Sequence, residues 1–188
     1  MVSAETSLKI LLRTEKTLSH AEKQGLGSMS SRAFGKDEKE FVEGHELKWG
    51  GSYYHFLGMV SGQIISHVGI LPRKIRLGGK VVFTAGVGGV ATHPEFQRCG
   101  FAAELLTESN RWLDRKNAPT KEIFEIAMLF CEPQRVDYYS RFGYQLIHQP
   151  LYIRLDHQRA RFQDTCMIRT LHSFTWSKNI VDLRGHPW

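Results

Sequence analysis

The sequence is short of the features that would take it out of the ordinary globular class. It has three cysteines, Cys99, Cys131 and Cys166, an odd number without a C-x-x-C pair. That argues against a disulfide framework and a structural zinc site, and it suits a reducing cytosol. No apolar run reaches the roughly 18 to 20 residues that span a bilayer. Met1 to Arg13 lacks the basic and apolar regions of a signal peptide. A cytoplasmic protein without membrane contact is expected. Repeats, low-complexity tracts and Pro/Ser-rich linkers are absent too, so one domain over residues 1–188 is expected, long enough to bury a core without staples.

Apolar residues make up 41% of the chain and charged residues 23%, which excludes wholesale disorder. The formal charge is +6, but the basic residues are scattered and the densest groups, Arg73-Lys74-Arg76 and Arg159-Arg161, are short. No nucleic-acid partner is expected; part of the charge suits a polyphosphate.

Periodicity gives the elements. Ser7 to Arg13 alternates as a strand, and Leu18 to Phe34 reads as a helix despite Gly25 and Gly27. The charged run from Lys36 to Lys48, with Asp37, Glu38, Glu40, Glu43 and Glu46, reads as a short helix and loop. Ser52 to Val60, Gln63 to Leu77 and Lys80 to Thr92 read as strands joined by turns at Ser61-Gly62 and Gly78-Gly79. Pro72 predicts a bend or an edge, and Gly86, Gly88 and Gly89 predict a bulge or a close backbone approach. Gln97 to Lys116 is an amphipathic helix with Phe101, Leu105 and Trp112 on its apolar face. Glu122 to Cys131 is a buried strand and Pro133 to Phe142 a short helix. Tyr144 to His148, Leu151 to Leu155 and Arg161 to Leu171 are strands. Local antiparallel meanders exclude a doubly wound sheet.

Two motifs carry chemistry. In Val90 to Ala102, V-A-T-H-P-E-F-Q-R-C-G-F-A, a strand ends and a helix begins. Unpaired N–H groups and the helix dipole there make a site for a pyrophosphate. Gly100 lets the backbone approach the phosphates, Ala102 keeps the next position small, and Arg98 adds charge. The second motif is Tyr138-Tyr139-Ser140-Arg141-Phe142-Gly143-Tyr144, where Gly143 supplies a helix stop.

Gln97-Arg98-Cys99-Gly100-Phe101-Ala102 resembles the acetyl-CoA loop of the GNAT (GCN5-related N-acetyltransferase) superfamily, Gln/Arg-x-x-Gly-x-Gly/Ala. The second motif resembles that family's Tyr-x-x-x-Gly-Phe/Trp/Tyr, with Tyr139 at the position near the CoA sulfur. The resemblance implies an α/β (α+β) fold with a central, mixed, mostly antiparallel twisted sheet of about seven strands flanked by helices. It implies acetyl-CoA as cosubstrate without a metal, and transfer to an amine by direct attack. The broken strand Gly88 to Thr92, with Val90, Ala91 and Thr92, would expose N–H groups to the acetyl carbonyl and pantetheine arm, an N–H of Val90 or Thr92 would stabilise the oxyanion, and Tyr139 would protonate the leaving thiolate. Tyr138 is expected to pack.

Leu129-Phe130-Cys131-Glu132-Pro133, Trp49-Gly50-Gly51 and the tail Val181 to Trp188 are similar to aminoglycoside 2'-N-acetyltransferases. That likeness implies an acceptor site holding a small-molecule amine with Glu43, Glu46, Asp182 and the carboxylate of Trp188. One departure counts against aminoglycosides themselves. The glutamate those enzymes carry before the CoA loop falls on Gly88 here, leaving His93, Glu125, Glu132 and Glu46 as candidate bases. His93 reads first as a strand-end surface residue. Two other readings stay open: a protein amine as acceptor, and a non-catalytic acyl-CoA binding module. A homodimer is one assembly the sequence leaves open.

Overall fold

The computed structural model describes residues 7–35, 40–115 and 123–188. Alternation governs its first half. Strand β1 (Lys9–Thr14) leads through a turn to helix α1 (His20–Phe34). Ser19 and Glu22 start that helix with a capping box: Ser19 Oγ accepts the Glu22 N–H at 3.1 Å and Glu22 Oε2 accepts the Ser19 N–H at 2.8 Å.

The charged run departs from expectation. Its described part is a hairpin of β2 (Glu40–Val42) and β3 (His45–Leu47), not a helix and loop; Asp37 and Glu38 lie outside the described residues. The turn at Glu43-Gly44 has φ of 50° and 81°, the two left-handed positions of a primed hairpin turn. Glu40, Val42, His45 and Leu47 share one face of the hairpin, through which Val42 and Leu47 pack on the core, and Phe41 and Glu46 share the other, so the carboxylates fall on both faces and mask the strand pattern.

Strands β4 (Tyr54–Val60), β5 (Gln63–Leu77) and β6 (Lys80–Thr92) follow as an antiparallel meander, and β1 adds to the free edge of β4. Helix α2 (Phe101–Asp114) is shorter than the amphipathic pattern, and Lys116 lies outside the described residues. Then come β7 (Ile126–Cys131), a turn at Pro133–Arg135, α3 (Val136–Ser140), β8 (Gln145–Ile147), β9 (Leu151–Leu155), β10 (Gln158–Phe162), β11 (Thr165–Thr170) and β12 (Val181–Asp182). The single strand expected over Arg161 to Leu171 is two. β10 pairs with β9 at one end of the sheet and β11 lies between β7 and β8 at the other, so one straight strand cannot serve both places.

Ten strands form one mixed sheet among the described residues, ordered β10-β9-β12-β5-β6-β7-β11-β8, with β4 and then β1 on the other half of the β5 edge. Only β6–β7 and β9–β12 pair in parallel. β4 covers β5 from Gln63 to Ile70 and β12 covers Arg76 and Leu77, so Pro72 sits in the stretch between them. The fold class matches expectation; β9 stands at the expected Leu151 to Leu155, and the unexpected strands of this sheet are β10 and β12.

The two faces of β6 have different partners. Ala85 and Val87 pack with Leu105, Leu106 and Leu113 of α2. The alternate positions Gly86 and Gly88 face Trp188 on the opposite side. Leu105 and Leu106 are fully buried, each worth about 1.5–3 kcal/mol in removed apolar surface. Leu105→Ala is expected to cost about 2–5 kcal/mol in urea unfolding, because it opens a cavity between α2 and the sheet. Ser19→Ala, which removes the cap of α1, is expected to cost about 1 kcal/mol in the same measurement.

Candidate active site

The parallel pairing of β6 with β7 runs from Thr84↔Ile126 to Val87↔Leu129 and ends there. On its other edge β6 continues against β5 to Thr92, through a bulge. His67 pairs with Ala91 and Gly69 with Gly88, so Gly89 and Val90 on β6 oppose Val68 alone on β5. A bulge of this kind bends the strand and raises its twist. Gly89 takes φ of +58°, which disfavours a side chain. Gly88 to Thr92, the segment expected to meet the thioester, therefore presents a backbone edge to the gap left by β7.

Beyond Thr92 the chain makes a tight turn at Pro94–Phe96 and enters the Gln97 to Gly100 loop. The Gln97 side-chain amide donates to the Thr92 carbonyl at 3.3 Å, tying loop to strand. Arg98 and Gly100 have φ of +65° and +85°, and no side chain caps α2. The first helical N–H groups of Phe101, Ala102 and Ala103 have no partner within the helix. With the positive end of the helix dipole they form an anion-binding terminus beside exposed Arg98 and Cys99.

A Cβ on Gly100 would meet nothing within 4 Å, so alanine there adds only backbone strain. Gly100→Asp adds strain and a like charge toward the phosphates. Calorimetry is expected to show acetyl-CoA binding weakened at least tenfold by Gly100→Asp and less by Gly100→Ala, since each factor of ten is about 1.4 kcal/mol. Equal binding by the Asp variant and wild type would remove the loop from the cofactor site.

Tyr139 stands on α3, close to Cys131 at the end of β7. Its ring packs against Tyr138 at 5.2 Å and Tyr144 at 6.3 Å between centroids. Among the described residues nothing hydrogen-bonds its hydroxyl. Burial, and next the Cys131 thiol, push its phenol well above the usual value, so it stays protonated in neutral and alkaline solution. Tyr138 packs on Phe142, and buried Tyr144 donates to Asn110 Oδ1 at 3.2 Å. The Cys131 thiol is pushed up by burial and then by Glu132 and Asp164, which disfavours the thiolate an acyl-cysteine route needs.

This arrangement can be compared with known proteins. The sequence model of the acetyltransferase (GNAT) domain matches residues 15–147. The chain belongs to the GNAT acetyltransferase family. Solved structures agree in fold. The GNAT-family N-acetyltransferase YhbS of Escherichia coli, in complex with CoA, has a TM-score of 0.63 at 17% identity, covering 97% of this chain and 93% of its own. An acyl-CoA N-acyltransferase from Pseudomonas aeruginosa has a TM-score of 0.60 at 16% identity, covering 87% of this chain and 100% of its own. A GNAT-family acetyltransferase from Brucella melitensis, in complex with acetyl-CoA, has a TM-score of 0.57 at 16% identity, with 92% and 94% covered. No curated protein matches the sequence.

Within the GNAT frame, the side of β6 away from α2 is filled by the tail. Trp188 is 5% exposed, and its indole N–H donates to the Met128 carbonyl at 3.1 Å. A Cβ on Gly86 would lie 2.4 Å from the indole, and one on Gly88 3.0 Å from the Trp188 carbonyl carbon. The place of the missing glutamate is thus occupied by tail backbone. Arg73 holds the tail through the His186 carbonyl and lies over the Trp188 ring.

The other candidates have definite partners. Asp182 is buried, accepts the Arg184 N–H at 2.8 Å and faces Arg154 and Arg159 at 3.6 and 3.9 Å. Glu43, in the β2–β3 turn, accepts the Arg161 N–H at 3.4 Å, and Glu46 lies on β3. Glu125 binds the Phe83 N–H and Lys80, and exposed Glu132 meets Gln134 and Arg135. His93 is 4% exposed rather than a surface residue: it caps the Pro94–Phe96 turn and lies 3.4 Å from Arg32, because α1 covers that end of β6. Sequence reasoning overlooked Arg73, Asp164 and the histidines of β4 and β5. For the histidines the signal was present, one in each of two apolar strands.

Proposed function

We propose that the chain transfers the acetyl group of acetyl-CoA to a primary amine of a small molecule by direct attack. One observation carries this reading: an uncapped helix terminus, an unpaired strand edge and a partnerless tyrosine converge where β6 leaves β7. CoA phosphates lie at the Gln97 to Ala102 loop and the thioester along Val90 to Thr92. The neutral amine attacks the thioester carbon, the new C–N bond forms, and N–H groups of the β6 edge stabilise the oxyanion. The C–S bond then breaks. Tyr139 hydrogen-bonds the departing sulfur and gives it a proton, the amine proton leaves to solvent or buffer, and the Tyr139 phenolate takes one proton back from the same source. Trp188 lines the acceptor side, and an amino-sugar or aminoglycoside-like compound is the narrower acceptor class.

Tyr139→Phe is expected to lower kcat by about 10² to 10⁴, the usual worth of a positioned acid, with little change in acetyl-CoA affinity. Because Tyr139 is held above its usual value, wild-type kcat/KM is expected to rise as the amine deprotonates, without a falling limb up to about pH 10, the ordinary tyrosine value. A descending limb near neutrality that vanishes in Tyr139→Phe would contradict this.

Gly88 in place of a carboxylate favours a second reading, a module that binds acyl-CoA without turning it over. Thiol release with a panel of amines separates the two, since the module binds acetyl-CoA and releases none.

A further inference from the structure

β4 and β5 each carry one buried histidine, and the transfer described above uses neither. His55 and His67 are 5% and 4% exposed, on the sheet face opposite α2. His67 Nδ1 lies 2.7 Å from the Gly89 carbonyl oxygen. His67 Nε2 lies 3.1 Å from His55 Nδ1, and His55 Nε2 lies 3.2 Å from Glu15 Oε2. Glu15 Oε1 in turn accepts from Lys23 Nζ at 2.6 Å. A hydrogen-bonded chain thus runs from an exposed ion pair to the bulge of β6.

The geometry assigns the hydrogens. A carbonyl only accepts, so His67 Nδ1 must carry hydrogen. Burial pushes His67 down to about 4, so in neutral solution the ring holds one hydrogen. Its Nε2 is then an acceptor and takes the N–H of His55 Nδ1. Burial also lowers His55, against the pull of Glu15, and the Glu15 contact closes fully when His55 takes up a second proton. His67 is held in one tautomer from both sides.

That bond fixes a peptide plane. The Gly89–Val90 peptide is trans, so its carbonyl and N–H point in opposite directions. With the Gly89 carbonyl held toward the His67 ring, the Val90 N–H points away from that ring. The ring also packs on the bulge: a Cβ on Gly89 would lie 3.2 Å from His67 Cε1 and Nδ1. We propose that His67 is a positioning residue for acetyl transfer. Its Nδ1–H holds the Gly89 carbonyl so that the Val90 N–H meets the thioester oxygen, and the Nδ1–H of His55 maintains the tautomer. This rests on the reading of the β6 edge as the acetyl site.

The test uses the full chain and begins with long-range ¹H–¹⁵N NMR of the histidines near neutral pH. Hydrogen on His67 Nδ1 is expected; hydrogen on Nε2 overturns the proposal. Next, the Val90 amide proton is expected to move downfield with acetyl-CoA and not with CoA. His67→Phe should abolish that shift while acetyl-CoA still binds. His67→Asn, whose side-chain N–H can stand in for Nδ1–H, should keep it. In turnover, His67→Phe is expected to lower kcat about ten- to a hundredfold at unchanged acetyl-CoA KM, and His67→Asn to recover most of it, because a misaimed oxyanion donor costs somewhat less than a deleted one. A Val90 shift that persists in the Phe variant, or an Asn variant as slow as the Phe variant, overturns the assignment. Should His67→Phe fail to fold, the wild-type tautomer and the Asn variant decide. Should the wild type turn over no amine yet show the Val90 shift, the positioning stands and only the transfer reading falls.

Discussion

The end of the β6–β7 pairing at Val87↔Leu129 is the constraint on which the site depends. A strand edge inside a protein must have its polar groups satisfied, and a buried group left without a partner costs about 1–3 kcal/mol. β6 leaves β7 because its own bulge turns it, and it remains paired with β5 to Thr92 while doing so. The vacated edge stays in place and is not available for folding back on itself. A thioester and its amide-bearing arm are suitable partners for such an edge, since they bring the acceptors that β7 withholds. α2 begins at Phe101, just beyond the loop that follows Thr92, and the Gln97 side chain ties that loop back to the Thr92 carbonyl.

Three glycines in β6 have three separate reasons. Gly86 leaves room for the Trp188 indole and Gly88 for the tail backbone. Gly89 takes the left-handed turn of the bulge and carries the carbonyl that His67 holds. The tail and the bulge therefore constrain neighbouring residues of one strand from the same face. Arg73 adds a tie from β5, since it bonds the His186 carbonyl and covers the Trp188 ring. Movement of the tail is coupled by contact to β6.

Much of this was legible. Alternation placed the meander over 52–92, with β5 and β6 at their expected bounds, because neighbouring strands with tight turns leave a local signature. Gly100 was legible as a place of close backbone approach ahead of an amphipathic pattern, but the helix was expected from Gln97 and starts at Phe101, because the apolar pattern alone does not mark where the left-handed turn at Gly100 ends the loop. The β2–β3 hairpin was not, since each strand is three residues long and carboxylates fall on both of its faces, which leaves no alternation to read. The partners of Asp182 were hidden as well: Arg154 and Arg159 belong to β9 and β10, and only the sheet order brings them to β12. The histidine chain joins the β1–α1 turn, β4, β5 and β6, and no sequence spacing encodes a contact between Glu15 and His55.

Those partners change how a +6 chain could accept a cationic amine. Asp182 faces two arginines, and Glu43 is turned to the backbone of β10, so neither stands as an uncompensated negative charge. The end of β7 is different. Asp164, in the turn between β10 and β11, has its carboxyl raised by burial and then by the charge of Glu40. The Trp49 indole N–H reaches Glu40 at 3.3 Å, and its ring lies 6.3 Å from Phe130 and 6.2 Å from Phe162. Phe130 in turn lies 5.2 Å from Trp188. Aromatic rings and mutually repelling carboxylates therefore adjoin at the strand end beside Cys131. A cation placed there relieves the repulsion that raises Asp164, and local field outweighs net charge at such range because distant charges are screened within about 8–10 Å. The two acidic neighbourhoods therefore differ in sign of environment: Asp182 faces two arginines, whereas the Asp164 carboxyl has the charge of Glu40 beside it.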